Sequence, residues 1–231
     1  MKSLRNLVRA KKLLRSFDTS GGIGKKTLLE LIPKAELIVE IGAHKGLDTE
    51  ELALTFPKAK VISFEASPNL YVNAFNRCKK LANVTLVPAA LANKSGVTRF
   101  NQSSGASDGS GSLLDPGTHL QKYPNVFFEP ENIVIIPTIT LDEYLDVVGA
   151  EKIDLIWIDA QGAEGLVFEG AHKYLSRTNY VYSEVANISE YSGGISYSDL
   201  TKLLNTYGLY VLKEFLPEKW NGVGNVLFAR S

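Results

Sequence analysis

The stretch LIVEIGAHKG, residues 37–46, decides the fold of this chain. It begins as an apolar run and ends as a glycine loop, and an acidic residue, Glu40, stands two positions before Gly42. An apolar run that ends at a glycine turn is typical of a buried strand. A carboxylate so close to the turn disfavours a phosphate ligand, because like charges repel. The stretch therefore predicts a loop that receives a ligand with a positive charge and a ribose.

Strand-like and helix-like segments alternate after this stretch. We expect strands at 37–42, 59–65, 84–91, 96–101, 132–139, 153–159, 180–185, 210–215 and 224–230, and helices at 26–32, 47–56, 67–83, 140–149, 163–175 and 196–208. Such alternation predicts an α/β fold with a single Rossmann-like sheet of about seven strands, mostly parallel and covered by helices on both faces. The loop before the last strand is too short for a crossover helix, so that strand is expected to be antiparallel.

The charge is unevenly distributed along the chain. Residues 1–34 hold nine Lys or Arg and two acids, although the whole chain is neutral. We therefore expect a basic helical arm at 1–34 and one domain at 35–231, with a Ser/Gly-rich insertion near residues 101–118. The arm either docks on the domain through its apolar stripe or makes a peripheral membrane contact. No nucleic-acid-binding pattern accompanies the basic residues.

Composition points to a cytoplasmic globular protein. Cys78 is the single cysteine, which excludes an internal disulfide and suits a reducing compartment. No apolar run is long enough for a transmembrane helix, and the N-terminus lacks a signal-peptide core. Cys78 falls on the apolar face of its expected helix, which predicts a core thiol rather than a nucleophile.

Small and acidic residues stand at the ends of the expected strands. Glu65 follows Gly42 by 23 positions, which is the spacing of a carboxylate that binds a ribose diol. The third strand ends in small residues that leave room for a flat ring, and Asp159 ends the fourth. The residues predicted to bind the cofactor are Glu40, Gly42, Ala43, His44, Gly46, Thr49, Glu65, Ala66, Ser67, Ala89, Ala90 and Asp159.

The glycine loop distinguishes between nucleotide cofactors. A dinucleotide site needs the pattern Gly-x-Gly-x-x-Gly, and the middle glycine is missing from Gly42-Ala43-His44-Lys45-Gly46. S-adenosylmethionine carries an adenine, a ribose, an ammonium and a sulfonium but no phosphate, and it suits the acidic loop. The alternatives are an NAD-dependent oxidoreductase, a non-catalytic nucleotide-binding protein, or structural roles in which Glu40 only caps amides and Glu65 only starts a helix.

The chain resembles the FkbM family of class I S-adenosylmethionine-dependent methyltransferases. The segments that carry the resemblance are VEIGAHKG, FEASP, LVPAALANKSG, TITLDEYL, IDLIWIDAQGAEGLVFEGA and GNVLFAR, which span about residues 37–230. The most specific segment contains Asp159, Gln161, Gly162, Glu164, Gly170 and Ala171. His44 and Gln161 depart from the residues that are common in the family at those places. The resemblance implies methylation of a hydroxyl, often on a sugar or a polyketide.

Several polar residues are candidates for the chemistry and for acceptor binding. An alcohol is a poor nucleophile, so a general base is expected, and Asp159 leads His44 and Glu164 for this role. Gln161, Glu184 and Ser112 are expected to contact a sugar, glycan or other small hydroxylated acceptor. Residues 102–114 are interpreted as a lid or as an unstructured insertion. No His, Asp or Glu cluster has metal-ligand spacing, so no metal is predicted, and the sequence specifies no oligomeric state.

Two further histidines are given no catalytic role. His119 falls in the flexible insertion with no partner visible in the sequence, and His172 is expected to be exposed or packed on its helix.

Overall fold

The structure is a computed structural model in which residues 22–216 and 222–231 are described. Residues 1–21 of the expected basic arm lie outside the described residues. The rest of the arm contains helix α1 (Lys25–Leu31). Ile23, Leu28 and Ile32 are buried in the same core cluster as strand residues of the main sheet. The segment from residue 22 onward is therefore packed against the domain.

Among the described residues, seven strands form the main sheet. They are β1 (Leu37–Ile41), β2 (Lys60–Phe64), β3 (Val84–Val87), β9 (Ile153–Ile158), β10 (Thr178–Ala186), β11 (Leu209–Phe215) and β12 (Val223–Arg230). Their order is β11-β12-β10-β9-β1-β2-β3. The pairs among β1, β2, β3, β9 and β10 are parallel, whereas β12 runs antiparallel to both of its neighbours. The predictions of a mostly parallel α/β sheet and of an antiparallel last strand are confirmed.

The insertion and its flanks form two small sheets beside the main one. The first contains β4 (Ala90–Leu91), β5 (Gly96–Asn101) and β8 (Ile133–Ile139), and the second contains β6 (Ser104–Gly105) and β7 (Val126–Phe127). The prediction of one continuous strand at 84–91 is wrong. Pro88 has no N–H to continue the ladder, and the chain leaves β3 there so that β4 pairs with β8.

Helices cover both faces of the main sheet. After α1 they are α2 (Leu47–Thr55), α3 (Pro68–Cys78), α4 (His119–Lys122), α5 (Leu141–Val147), α6 (Glu164–Glu169), α7 (His172–Leu175) and α8 (Tyr197–Thr206), with a 3₁₀ turn at Pro130–Asn132. The prediction of one helix at 163–175 is wrong, since it breaks between α6 and α7. A Cβ on Gly170 would lie 2.1 Å from the carbonyl oxygen of Ala92, so only glycine allows this close packing.

Two local predictions from the sequence are confirmed in the helices. The Thr140 hydroxyl accepts a hydrogen bond from the N–H of Glu143 at 3.1 Å, which caps α5 as expected. Cys78 is buried at the end of α3, in agreement with its predicted role as a core thiol. Across the described ranges, no helix combines the length and the apolar character that crossing a bilayer requires.

The sheet order determines where a ligand can bind. β1 lies between β2 and β9, and the chain order reverses between β1 and β9. Loops that leave neighbouring parallel strands in opposite directions open a crevice at the carboxyl ends of those strands. The acidic residues predicted to form the site stand at this edge.

Candidate active site

A cavity of 620 Å³ opens at the carboxyl ends of β1, β2, β9 and β10. Most of the residues predicted for the site line it together, although they come from distant parts of the chain. These are Gly42, Ala43, His44, Glu65, Ala66, Ala89, Ala90, Asp159, Gln161 and Glu184. Gly46, Thr49, Ser67, Ser112 and Glu164 are not among its lining residues, and neither is Glu40.

The glycine loop after β1 is held by close backbone contacts. Gly42 has φ +91°, and a Cβ there would lie 2.0 Å from the carbonyl oxygen of Asp159. The N–H groups of Gly42 and Ala43 both donate to the carbonyl of Phe64 at 3.0 Å. The loop is therefore tied to the ends of both strands that flank β1, and glycine is required at position 42.

Glu65 is a buried carboxylate at the end of β2 that lines the cavity. It accepts hydrogen bonds from the N–H groups of His44 at 2.6 Å and Ser67 at 2.8 Å. Burial raises the pKa of Glu65 to about 7, against the opposing effect of these N–H donors. A carboxylate has about four acceptor positions, so this one still has capacity for the hydroxyls of a ribose.

Glu40 lies behind the glycine loop rather than on the cavity wall. It is completely buried, and one of its oxygens accepts a hydrogen bond from the Thr49 hydroxyl at 2.5 Å. The other oxygen has no hydrogen-bond partner among the described residues. Burial raises the pKa of Glu40 to about 7. Direct contact between Glu40 and a cofactor stays a prediction, and in this arrangement Glu40 ties β1 to α2.

Asp159 and Glu184 line the same cavity, and both contact the side-chain amide of Gln161. Gln161 Nε2 lies 2.7 Å from Asp159 Oδ1 and 3.4 Å from Glu184 Oε2. The surrounding protein raises the pKa of Asp159, even though the residue is accessible from the cavity. Burial, followed by the charges of Asp159 and Glu164, raises the pKa of Glu184 to about 9. A pKa of about 9 keeps Glu184 protonated near neutral pH.

Gln161 is held in position by contacts with the hydroxyl groups of Ser112 and Tyr191. It has a positive φ of +52°, which is uncommon for a residue with a side chain. The fully buried Ser112 donates its hydroxyl to the Gln161 carbonyl at 2.8 Å. The Tyr191 hydroxyl lies 2.9 Å from Gln161 Oε1 and 2.7 Å from the Ser110 carbonyl, and its single proton serves one of them at a time. Ser112 thus supports Gln161 from outside the cavity lining.

Sequence reasoning missed Tyr191. It lies between β10 and α8 in the polar segment ISEYSGG, residues 188–194, where no periodic pattern marks it. The ring is buried, and it meets Gln161 and Ser110 only because of the tertiary fold. The available signal was a lone aromatic residue in a glycine- and serine-rich loop, which is too common to identify a site.

The Ser/Gly-rich insertion covers the cavity. Ser107, Gly109, Ser110, Gly111 and Leu113 are part of the lining. Asp108 lies 2.9 Å from His44 Nε2 and 2.7 Å from Lys45 Nζ, and it pins the insertion to the glycine loop. These two basic groups hold the pKa of Asp108 below its usual range. The insertion has the position of a lid, and its movement stays a prediction.

A second cavity of 260 Å³ adjoins the first. Both are lined by Ser107, Ser110, Gln161 and Glu184. Glu164 lines the second cavity, where its carboxylate accepts the N–H of Ala160 at 2.9 Å, and burial raises the pKa of Glu164 to about 7. Glu164 therefore shares the second cavity with Gln161 and Glu184, whereas Glu65 lines only the first.

Aromatic rings line much of the second cavity. His119, Tyr123, Tyr191 and Tyr197 all contribute to its wall. The sequence shows no partner for His119, and the structure provides two: its buried ring lies 4.7 Å from that of Tyr123 and 5.2 Å from that of Tyr191. Burial lowers the pKa of His119, so the ring is neutral near pH 7.

Two other expectations concern metals and His172. His172 is exposed, its Nδ1 contacts the Tyr207 hydroxyl, and it lines neither cavity, in agreement with the expectation of an exposed or packed residue. Within residues 22–216 and 222–231, no group of three or more His, Cys, Asp or Glu side chains is arranged to hold a metal ion.

Similar proteins are found among protein-family models, curated proteins and solved structures. The model of the methyltransferase FkbM domain matches residues 40–210. The 2-O-methyltransferase NoeI of Sinorhizobium fredii (strain NBRC 101917 / NGR234) is 30% identical over 217 residues, which cover 88% of each chain. The N-terminal domain of EvdMO1, crystallised in the presence of SAH and D-fucose, has a TM-score of 0.50 at 15% identity and covers 100% of this chain and 97% of its own. The last likeness shows the fold alone.

Proposed function

Because the chain belongs to the FkbM family of S-adenosylmethionine-dependent methyltransferases, we propose that it methylates a hydroxyl group of a sugar or glycan. The observation that carries the proposal is the composition of the 620 Å³ cavity. One part of its wall holds Glu65 and small apolar residues, and another holds Asp159, Gln161 and Glu184. The first suits an adenosine, and the second suits a ligand with hydroxyl groups.

The cofactor end is formed by residues that fit an adenosine. Glu65 has free acceptor positions for the ribose hydroxyls, and Ala66, Ala89 and Ala90 leave space beside it for a flat ring. The loop of Gly42 lets the backbone approach the ligand. When bound, S-adenosylmethionine supplies a methyl group whose bond to sulfur breaks, with the electron pair going to sulfur, as the acceptor oxygen forms its bond to carbon.

The chain's own residues handle the acceptor and its proton. Asp159 takes the proton from the acceptor hydroxyl, and its raised pKa makes it a better base than an exposed carboxylate. Glu184, protonated near neutral pH, donates a hydrogen bond to the acceptor. Gln161 holds the two carboxyl groups in place. Positioning of this kind lowers the barrier by restricting the reacting groups to a productive geometry.

The second cavity supports an acceptor larger than one sugar ring. It shares its wall with the acceptor end of the first cavity, and aromatic faces alternate there with Glu164 and Glu190. A sugar presents apolar C–H faces and a polar rim of hydroxyls, so rings and carboxyls together match its two surfaces. We therefore assign this cavity to the part of a glycan next to the methylated unit.

The name of the relative NoeI supports transfer to oxygen, and neither an oxidoreductase nor a non-catalytic role is favoured by the comparisons.

The deciding experiment is a transfer screen with S-adenosylmethionine labelled on the methyl, over free sugars, oligosaccharides and hydroxylated metabolites, with Asp159→Asn as the control. Label in a glycan that depends on Asp159 is expected. Transfer to non-sugar acceptors alone would refute the sugar assignment.

Two further proposals concern the cellular location of the protein and the role of its basic N-terminal arm. We propose a cytoplasmic enzyme whose basic residues at 1–17 contact anionic lipid surfaces. Sedimentation with anionic vesicles tests the contact, and binding that is lost on deletion of residues 1–17 is expected. Absence of vesicle binding by the intact chain would refute it.

A further inference from the structure

The large cavity has an unequal distribution of charged side chains. Asp48, Glu65, Asp159 and Glu184 line it, and among the described residues that form its wall Lys25 is the only Lys or Arg. S-adenosylmethionine carries a carboxylate at its amino-acid end. A carboxylate placed in this wall needs a cation to offset the repulsion from the acidic residues that are ionised there. Lys25 is the residue of this wall that meets the requirement.

Lys25 is held in a defined position at the cavity wall. Its ammonium lies 4.0 Å from the centre of the Trp157 ring, a cation–π arrangement. It pairs with Asp48 and lies 3.4 Å from Glu51. The Lys25 side chain is 14% exposed, whereas that of Asp48 is 46% exposed. The ammonium of Lys25 therefore has defined neighbours, and the Asp48 side chain stays accessible.

The segment that carries Lys25 is anchored to the sheet. The N–H of Ile23 donates to the Tyr182 hydroxyl at 3.3 Å, and the rings of Tyr182 and Trp157 lie 4.2 Å apart. Trp157 belongs to β9, which is on one side of β1, and Glu65 follows β2 on the other. A ligand whose ribose meets Glu65 and whose opposite end meets Lys25 therefore spans the glycine loop of β1.

We propose that Lys25 and Asp48 bind the zwitterionic amino-acid end of S-adenosylmethionine, Lys25 through the carboxylate and Asp48 through the ammonium. The two side chains present one charge of each sign next to each other, and the amino-acid end presents the complementary two. The assignment does not depend on which acceptor is methylated. It gives the segment before β1 a binding role in addition to its packing.

The test is calorimetric and needs no turnover. Lys25→Met keeps an unbranched side chain over Trp157 and removes the charge. Two ligands are compared: S-adenosylhomocysteine, and 5′-methylthioadenosine, which lacks the amino-acid end. Loss of a hydrogen bond to a charged group predicts that S-adenosylhomocysteine binds about ten-fold more weakly or worse. Affinity for 5′-methylthioadenosine stays unchanged and shows that the variant is folded.

Matched variants complete the design. Lys26→Met is the control, because Lys26 is the exposed neighbour and does not line the cavity. Lys25→Arg retains a cation and is expected to keep most of the affinity for S-adenosylhomocysteine. Asp48→Asn is expected to weaken binding of the decarboxylated analogue of S-adenosylhomocysteine, which keeps only the ammonium. Equal losses for both ligands in Lys25→Met, or no loss for S-adenosylhomocysteine, would overturn the assignment of Lys25.

Discussion

At the scale of single residues, Asp159 and Glu184 show how one environment gives two carboxyl groups different roles. Both line the same cavity, and Gln161 contacts both. The pKa of Glu184 rises to about 9 because burial acts together with the charges of Asp159 and Glu164. Two nearby carboxyls that cannot both ionise easily are a common way to obtain an acid and a base in one site. The proposed mechanism uses that separation.

The Asp159→Asn variant tests the base. Asparagine keeps an oxygen that accepts the hydrogen bond from Gln161, so the variant removes the charge and leaves the local geometry. Turnover with the true acceptor is expected to fall by about 100-fold or more, the scale of a general base. Affinity for S-adenosylhomocysteine, measured by calorimetry, is expected to change little. Near-normal turnover would direct the search for the base to His44, Glu164 or Glu184.

The Glu65→Ala variant tests the ribose contact. It removes the acceptors for the ribose hydroxyls and also leaves the N–H groups of His44 and Ser67 unpaired. Binding of S-adenosylhomocysteine is expected to weaken by about 1.5–3 kcal/mol, the range for hydrogen bonds to a charged group. Calorimetry measures the change, with Glu129→Ala as the control because Glu129 is exposed and outside both cavities. Unchanged affinity would refute the ribose assignment.

At the scale of elements, the loops after β1 and β9 act as one unit. The Asp159 N–H donates to the Ile41 carbonyl at 2.9 Å, and the Asp159 carbonyl fills the space beside Gly42. The glycine loop and the reacting end of the site therefore hold each other in position. The insertion adds a third part through the contacts of Asp108 with His44 and Lys45.

The Gly42→Ala variant tests this unit against a matched glycine. Gly42 and Gly149 both have positive φ, but a Cβ on Gly149 has nothing within 4 Å, whereas one on Gly42 would meet the Asp159 carbonyl. Gly149→Ala is expected to cost about 1 kcal/mol of stability through its backbone alone. Gly42→Ala is expected to cost more and to abolish binding of S-adenosylhomocysteine. Thermal denaturation compares the stability of the two variants, and calorimetry compares their affinity for S-adenosylhomocysteine. Equal losses in both variants would contradict the close approach of the Asp159 carbonyl to Gly42.

The elements also show where sequence reasoning succeeds. Apolar runs and their order predicted the parallel sheet and the antiparallel last strand, because those features follow from local patterning. The same reasoning wrongly predicted β3 and β4 as one strand and α6 and α7 as one helix. The breaks at Pro88 and Gly170 involve the pairing of β4 with β8 and the packing of Gly170 on Ala92, which are tertiary contacts that the sequence does not show. The strand-end rule brought Glu65 and Asp159 into one cavity, but it did not reveal the burial of Glu40, the contacts of Tyr191 or the position of Lys25.

At the scale of the whole molecule, buried carboxyl groups set the pH dependence of stability. Burial raises the pKa of Glu40, Glu65 and Glu164 from the ordinary 4.5 to about 7, and that of Glu184 to about 9. Between pH 4.5 and these values the folded state holds protons that the unfolded state has lost. The stability they contribute is fully present below pH 4.5 and is lost as the pH rises through the folded-state values. His119 acts in the opposite direction, since its pKa is lowered.

The ligand-free protein is therefore expected to be more stable near pH 5 than near pH 8, because four carboxyl groups outweigh one histidine. Thermal denaturation across this range measures the trend. Glu40→Gln keeps an oxygen for the Thr49 hydroxyl and cannot ionise, so it is expected to gain stability over the original chain at pH 8 and to differ little at pH 5. A stability that rises steadily from pH 5 to pH 8 would contradict the burial of these charges.

The central claim, transfer of a methyl group to a sugar hydroxyl in the cavity of Glu65 and Asp159, is tested most directly by following the methyl carbon itself. The intact protein is incubated with S-adenosylmethionine carrying a ¹³C methyl and with the acceptor found in the screen, and the product is examined by heteronuclear NMR. A correlation between the labelled methyl and the proton on a ring carbon, absent with Asp159→Asn, is the predicted result. A methyl found on nitrogen or carbon, or an equal yield from Asp159→Asn, would contradict the account.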